Sequence, residues 1–148
     1  MSPDRAEDAR HMAHALRLAR RGLGNVWPNP AVGCVLIRDG RVVGRGWTQP
    51  GGRPHAEAVA LDQAGPMSRG ATAYVTLEPC LERSTGEAAC SSRLIDAGIS
   101  KVFIAVMDRH PKGAGGKAAI EAAGIEVETG FLEEDAAGLY EDFFASLG

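Results

Sequence analysis

ATAYVTLEPC, residues 71–80, is the stretch of this chain that decides its fold. Residues 71–77 form a continuous run rich in apolar side chains, which predicts a strand buried on both faces of a sheet. Residues 101–107 form a second run of the same kind. Helices are predicted at 55–64, 89–97, 118–123 and 133–147, with a last short strand at 125–128. This alternation of helices and strands predicts an α/β fold with parallel pairing and helices on both faces of the sheet.

The first part of the chain follows a different pattern. Ser2 and Pro3 predict the start of a helix that ends at Gly22, and its apolar residues recur at helical spacing (Met12, Ala15, Leu16 and Ala19). Two strands are then predicted at 31–38 and 41–47. The dipeptide Asp39-Gly40 between them is typical of a tight β-hairpin turn.

Length and composition limit the classes of protein to which the chain can belong. Its 148 residues, 45% of them apolar, fit one domain spanning 1–148. No apolar run is long enough for a membrane span, and the charged amino terminus lacks the apolar region of a signal peptide, so we expect a cytoplasmic protein without a membrane partner. A net charge of −3 and only 5% aromatic residues argue against a nucleic-acid partner.

Four residues in two short segments indicate a catalytic zinc site. His55 and Glu57 stand in Pro-His-Ala-Glu, Cys80 follows Glu-Pro, and Cys90 comes ten residues later. One imidazole and two thiolates are a ligand set that leaves a fourth zinc position open for water. Zinc in such a site lowers the pKa of water towards neutrality, and a carboxylate that is not a ligand can move the proton. The set predicts one zinc ion per chain and a hydrolytic nucleobase-type deaminase with Glu57 as its proton carrier.

Each of these residues alone has a simpler structural interpretation, so the prediction depends on the whole set. A lone histidine is usually structural, and a glutamate in a first helical turn usually complements the helix dipole. Pro54 and Pro79 predict that His55 and Cys80 lie in the opening turns of two helices, since proline is favoured at the first helical position. The third cysteine, Cys34, lies in an apolar run and is predicted to be a buried hydrophobic residue.

Further motifs resemble one known family over nearly the whole chain. They are WPNPAVG at 27–33, GRGW at 44–47, GRPHAE at 52–57, GATAYVTLEPC at 70–80, AGI at 97–99 and AAGIEV at 122–127. The chain resembles the deaminase domain of riboflavin-biosynthesis proteins, the diaminohydroxyphosphoribosylaminopyrimidine deaminases of the cytidine/deoxycytidylate deaminase superfamily. The resemblance implies a three-layer α/β/α cytidine-deaminase-like domain with a five-stranded mixed sheet. The wide spacing between Cys80 and Cys90 is typical of that family, whereas the general deaminase signature has Pro-Cys-x-x-Cys.

The resemblance also implies roles for individual residues. His55, Cys80 and Cys90 would bind zinc and Glu57 would shuttle the proton. The substrate-binding candidates are Asn29, Thr48, Arg83, Asp108 and His110. An amino-pyrimidine would be the small-molecule substrate, and a homodimer or homotetramer is expected. A separate reductase is a further expected partner, because no reductase domain accompanies the deaminase domain in this sequence.

Several positions depart from the family pattern. Thr48 stands where the family usually has histidine, and Asp108-Arg109-His110 replaces Asp-Pro-Asn. The loop LERSTGEAA at 81–89 carries two acids and only one cation, Arg83, where the family has basic groups that bind the substrate phosphate. A phosphate dianion near Glu82 and Glu87 would meet like charges. Two hypotheses follow: other cations replace the lost ones and the riboflavin step is kept, or the enzyme deaminates an unphosphorylated nucleobase or nucleoside.

Three other functions fit the sequence less well. A nucleic-acid-editing deaminase would need a basic, aromatic-rich surface and usually has the short cysteine spacing. A non-catalytic zinc module would need a fourth protein ligand, for which His110 is the only candidate. A thiol redox enzyme is disfavoured because the sequence contains no Cys-x-x-Cys motif.

Overall fold

The computed structural model describes residues 3–26, 30–80, 89–108 and 115–145. Within them the helices are α1 (Pro3–Arg20), α2 (Ala56–Ala64), α3 (Cys90–Asp96), α4 (Gly116–Ala122) and α5 (Glu133–Ala145). The strands are β1 (Gly33–Arg38), β2 (Arg41–Trp47), β3 (Thr72–Leu77), β4 (Lys101–Val106) and β5 (Glu126–Thr129). None of the described helices is both long enough and apolar enough to cross a membrane.

The strands form one mixed sheet in the order β2-β1-β3-β4-β5. Strand β1 pairs antiparallel with β2 and with β3, whereas β3-β4 and β4-β5 are parallel pairs. The hairpin turn between β1 and β2 has positive φ at Asp39 (53°) and Gly40 (76°), as a type I′ turn requires. The predicted hairpin and the predicted parallel half of the sheet are both confirmed.

Helices cover both faces of this sheet and complete three α/β/α layers. Helix α1 packs on β1 and β3, and a Cβ on Gly33 would come within 1.9 Å of the Ala15 carbonyl oxygen. Helix α2 packs on β2 from the other side, where a Cβ on Gly46 would come within 2.5 Å of the Ala56 carbonyl oxygen. Helix α3 contacts α2 and α4, and α5 packs on β4. These two glycines let helix backbones approach the sheet closely.

The core lies between these layers and includes the residues predicted to be buried. Met12, Ala15, Leu16 and Ala19 are buried on the inner face of α1. Nearly all of β3 and β4 is buried, as expected for central strands covered on both faces. Helix α4 begins at Gly116, two residues earlier than predicted, because its glycine-rich amino terminus is held by a tertiary contact that local propensity does not reveal.

Candidate active site

His55 and Glu57 lie at the start of α2. His55 is the N-cap residue, with φ −70° and ψ 160°, and Ala56 is the first helical residue. Pro54 therefore precedes the cap and does not occupy the first helical position. Glu57 lies in the first helical turn and is only 4% exposed. The helix begins at Ala56, one residue after the predicted start at His55, so both residues lie at its amino terminus.

Cys80 does not lie in a helix, which corrects the prediction made from Pro79. The Glu78 amide donates to the Val106 carbonyl (2.9 Å), so the parallel β3-β4 ladder extends one residue beyond β3. Pro79 has no N–H to continue that ladder, and it marks the end of a strand rather than the start of a helix. The cysteine at a helix start is Cys90, the first residue of α3.

The amino terminus of α3 fixes the two cysteines relative to each other. The backbone N–H of Cys90 donates to Cys80 Sγ (3.2 Å), and the N–H of Ser91 donates to the Cys80 carbonyl (3.1 Å). Ring nitrogen Nδ1 of His55 lies 3.5 Å from Cys90 Sγ. A ring nitrogen of His55 and the two sulfur atoms lie within 4.8 Å of one another. The three predicted ligands therefore converge on one point.

This convergence fits a zinc ion. Ligands about 2.0–2.3 Å from a tetrahedral ion lie roughly 3.3–3.8 Å apart, close to the Nδ1–Sγ distance found here. Hydrogen bonding from Cys90 is the largest cause that lowers the pKa of Cys80, from 9.0 to about 4. His55 also lowers this pKa, while burial opposes the shift. A thiolate is the form of cysteine that binds zinc, so the environment of Cys80 favours the metal-binding form.

Cys34 and Glu57 lie outside this ligand group. Cys34 is fully buried in β1, and burial together with the negative charge of Glu57 raises its pKa well above 9.0. It is therefore a neutral, inert hydrophobic residue, as predicted. Glu57 is not a member of the group formed by His55, Cys80 and Cys90. The described residues thus contain a three-ligand group with a buried carboxylate two residues from its histidine.

Glu78 supports the site through contacts that the sequence did not predict. Its side chain is 4% exposed, and it immediately precedes Pro79-Cys80. Oε1 accepts the N–H of Asp108 (3.2 Å), and Oε2 accepts the N–H groups of Gly115 (3.3 Å) and Lys117 (2.9 Å). One carboxylate therefore holds the end of β4 and the start of α4 beside Cys80. The sequence signal for this role is an acid two residues before the candidate ligand Cys80.

The predicted substrate-binding residues divide into two groups. Thr48 and Asp108 are described: Thr48 is 2% exposed, directly after β2, and Asp108 is half-buried after β4. Asn29, Arg83 and His110 lie outside the described residues, as does Arg109. Trp47, the last residue of β2, is half-buried with the Arg21 guanidinium 4.8 Å above its ring.

Comparison with known proteins identifies a matching family model. The model of the cytidine and deoxycytidylate deaminase zinc-binding region matches residues 5–106. These residues contain the histidine, both cysteines and the glutamate described above.

Three relatives show how far the similarity extends. The riboflavin biosynthesis protein RibD of Aquifex aeolicus is 44% identical over 93% of this chain and 38% of its own length. The diaminohydroxyphosphoribosylamino-pyrimidine deaminase of Buchnera aphidicola is 36% identical over 93% of this chain and 94% of its own. The structure of Acinetobacter baumannii RibD superposes with a TM-score of 0.90, at 43% identity, over 96% of this chain and 40% of that one. The chain thus spans about two fifths of the length of the RibD relatives.

Proposed function

Since the chain belongs to the zinc-binding cytidine and deoxycytidylate deaminase family, and within it to the RibD-type deaminases of riboflavin biosynthesis, we propose that it hydrolyses an amino group from the phosphoribosylated diaminopyrimidine of that pathway. The observation that carries the proposal is the convergence of His55, Cys80 and Cys90 next to the buried Glu57. The Buchnera relative, matched over almost its entire length, supports the choice of substrate.

One zinc ion per chain is part of the proposal. His55, Cys80 and Cys90 would hold it, because the described residues offer three ligands of the soft and borderline types that zinc prefers. When bound, zinc supplies a Lewis acid that makes water nucleophilic near neutral pH. The lowered pKa of Cys80 supports binding, since the thiolate exists without a large cost of deprotonation.

Glu57 is proposed to move the protons of the reaction. Water adds to the ring carbon that bears the exocyclic amine, Glu57 accepts a proton from this water, and it then gives that proton to the adjacent ring nitrogen. Glu57 next takes the proton of the added hydroxyl group and delivers it to the amino group, which leaves as ammonia as the new carbonyl forms. Water and the amino-pyrimidine thereby become ammonia and the oxo-pyrimidine. The carboxylate is 4% exposed, and such burial restricts proton exchange with bulk water.

Substrate contacts of Asn29, Thr48, Arg83, Asp108 and His110 stay predictions, as do a homo-oligomeric state and partnership with a reductase. Asp108 is the described member with the best support for such a contact, because its backbone is tied to Glu78 two residues before Cys80. This tie places the end of β4 beside the ligand group. Thr48 is better explained by a structural role, because its hydroxyl is bonded to backbone groups of Pro30 and Val32.

A substrate panel tests the proposal directly. Zinc-loaded protein is assayed for ammonia release from the phosphorylated diaminopyrimidine, its dephosphorylated form, cytosine, cytidine, guanine and adenine. We expect turnover of the phosphorylated compound that is lost in Glu57→Ala and retained in Glu121→Gln, a change on the exposed face of α4. Turnover restricted to an unphosphorylated compound would overturn the proposed substrate, and equal activity in Glu57→Ala would overturn the proposed mechanism.

A further inference from the structure

We propose that Thr48, Thr76 and Tyr140 are positioning residues whose hydroxyl groups hold the backbone at 30–33 in the conformation needed for substrate binding. We call these three side chains the hydroxyl frame. The inference rests on the proposed function, because the segment at 30–33 directly follows Asn29, a predicted substrate contact. It replaces the prediction that Thr48 itself contacts the substrate.

Thr48 holds the segment from the β2 side with three hydrogen bonds. Its N–H donates to the Val32 carbonyl (3.0 Å), and its hydroxyl oxygen accepts the Val32 N–H (3.0 Å). The same hydroxyl donates its proton to the Pro30 carbonyl (3.3 Å). A threonine hydroxyl has only one proton, so no donor remains for a substrate. The burial of Thr48 is consistent with a structural partner rather than a ligand.

Thr76 and Tyr140 hold the same segment from the opposite side. The Gly33 N–H donates to Thr76 Oγ1 (3.0 Å), and the Tyr140 hydroxyl donates to the Ala31 carbonyl (2.8 Å). Thr76 Oγ1 and the Tyr140 oxygen are 2.6 Å apart. Because the single phenol proton goes to Ala31, Thr76 must donate to Tyr140 in this pair. Both side chains are completely buried.

The hydroxyl frame therefore replaces the backbone hydrogen bonds between β1 and β3 at the point where their regular pairing ends. The antiparallel β1-β3 register ends at Cys34↔Val75, and the next residues along, Gly33 and Thr76, are joined through the Thr76 side chain. Backbone groups of all four residues at 30–33 are bonded to the frame. Leaving a buried backbone group unpaired is unfavourable, so this segment has little freedom to shift while the frame is intact.

The location of the frame links it to the reaction. Thr76 is four residues before Cys80 on the strand that leads to the ligand. Burial is the main cause that raises the pKa of Tyr140, and the negative charges of Glu57 and Asp108 raise it further. The phenol thus lies within the electrostatic field of the proposed proton carrier and of a predicted substrate contact. Helix α5, which carries Tyr140, thereby holds the segment at 30–33.

Kinetics of frame variants separate positioning from general stability. Thr48→Val and Tyr140→Phe remove single hydroxyl groups at nearly constant shape. We expect each to raise KM about tenfold and to change kcat less than about threefold, with zinc content unchanged. Thr48→Ser keeps the hydroxyl and should restore KM to within about twofold of the unmodified protein. The double variant should raise KM by less than the product of the single effects, because both changes release one segment.

Tyr74→Phe is the matched control for the tyrosine change. The Tyr74 hydroxyl is also hydrogen-bonded, to Asp8 Oδ1 (2.5 Å), but it belongs to the α1 side of the sheet and not to the frame. It should lower stability without changing KM. The proposal is overturned if KM stays within about twofold of the unmodified value in both frame variants, or if Tyr74→Phe raises KM equally.

Amide hydrogen exchange gives a test that does not depend on activity. In Thr48→Val the Val32 amide loses its acceptor, so we expect its protection to fall at least about tenfold relative to the amides of β3. Unchanged protection would overturn the frame even if the enzyme is active. If the unmodified protein deaminates no compound of the panel, the proposed function fails, and exchange at Val32 alone then decides whether the frame exists.

Discussion

Replacing Glu78 with glutamine removes a buried carboxylate that accepts hydrogen bonds from three backbone N–H groups. The carboxylate accepts N–H groups from Asp108, Gly115 and Lys117 at 2.9–3.3 Å while only 4% exposed. Hydrogen bonds to a charged group contribute about 1.5–3 kcal/mol each. Glutamine keeps one acceptor oxygen but presents an NH₂ group to the remaining N–H donors. We therefore expect Glu78→Gln to lower the free energy of unfolding by about 3 kcal/mol, which lowers Tm by roughly 6–12 °C.

Urea unfolding at a fixed excess of zinc measures this loss. The midpoint should fall while the slope of the free energy against urea stays constant, because the buried area changes little. The matched control is Glu121→Gln, which removes the partner of an exposed ion pair with Lys117 (2.8 Å) on the same helix. An exposed pair contributes at most about 1 kcal/mol. If the free energy of unfolding of Glu78→Gln falls by less than about 0.5 kcal/mol, Glu78 does not hold α4 as described.

Three further predictions concern packing, titration and metal removal. Gly116→Ala places a Cβ 1.7 Å from the Pro79 carbonyl oxygen and should lower the free energy of unfolding in urea by at least about 2 kcal/mol. Gly138→Ala has open space around it and should raise the free energy of unfolding by up to about 1 kcal/mol. Burial is the largest cause that raises the pKa of both tyrosines, Tyr74 and Tyr140, followed by the hydrogen bond to Asp8 for the first and the charge of Glu57 for the second. The folded protein should therefore show no tyrosinate absorbance up to about pH 11. The stabilisation from the neutral phenols is complete below their ordinary pKa of 10.0 and is lost as the pH rises above it. An ordinary titration near pH 10 would contradict this prediction. Removing zinc with a chelator should lower Tm by several degrees, and a Tm that is independent of zinc concentration would contradict metal binding by the native state.

The sequence predicted the sheet well because its signals are local. Asp39-Gly40 specifies the hairpin through positive φ, and the buried strands are continuous apolar runs. The error at Cys80 arose because proline is compatible both with a helix start and with a strand end. Only the bond from Glu78 to Val106 distinguishes the two. The convergence of His55, Cys80 and Cys90 was predictable because three residues of the right chemistry stand at family-typical spacings.

The supporting network was not predictable, because it joins residues distant in the chain. Tyr140 meets Ala31 across 109 positions, and Glu78 meets Lys117 across 39. No periodicity or motif links such residues. Thr48 drew attention because it departs from a family pattern, yet that departure does not reveal that its hydroxyl is bonded to backbone. The predictions for Asn29, Arg83 and His110 fall outside the described residues and stay predictions.

The most direct test of the central claim is a zinc titration of the metal-free enzyme, with ammonia release from the phosphorylated diaminopyrimidine as the signal. We predict no turnover without zinc, and turnover that rises linearly to one equivalent per chain. Glu57→Gln should bind the same amount of zinc with at least about a hundredfold lower turnover. Turnover in the metal-free protein, or a fully zinc-loaded Glu57→Gln variant within about tenfold of the unmodified enzyme, would contradict the account.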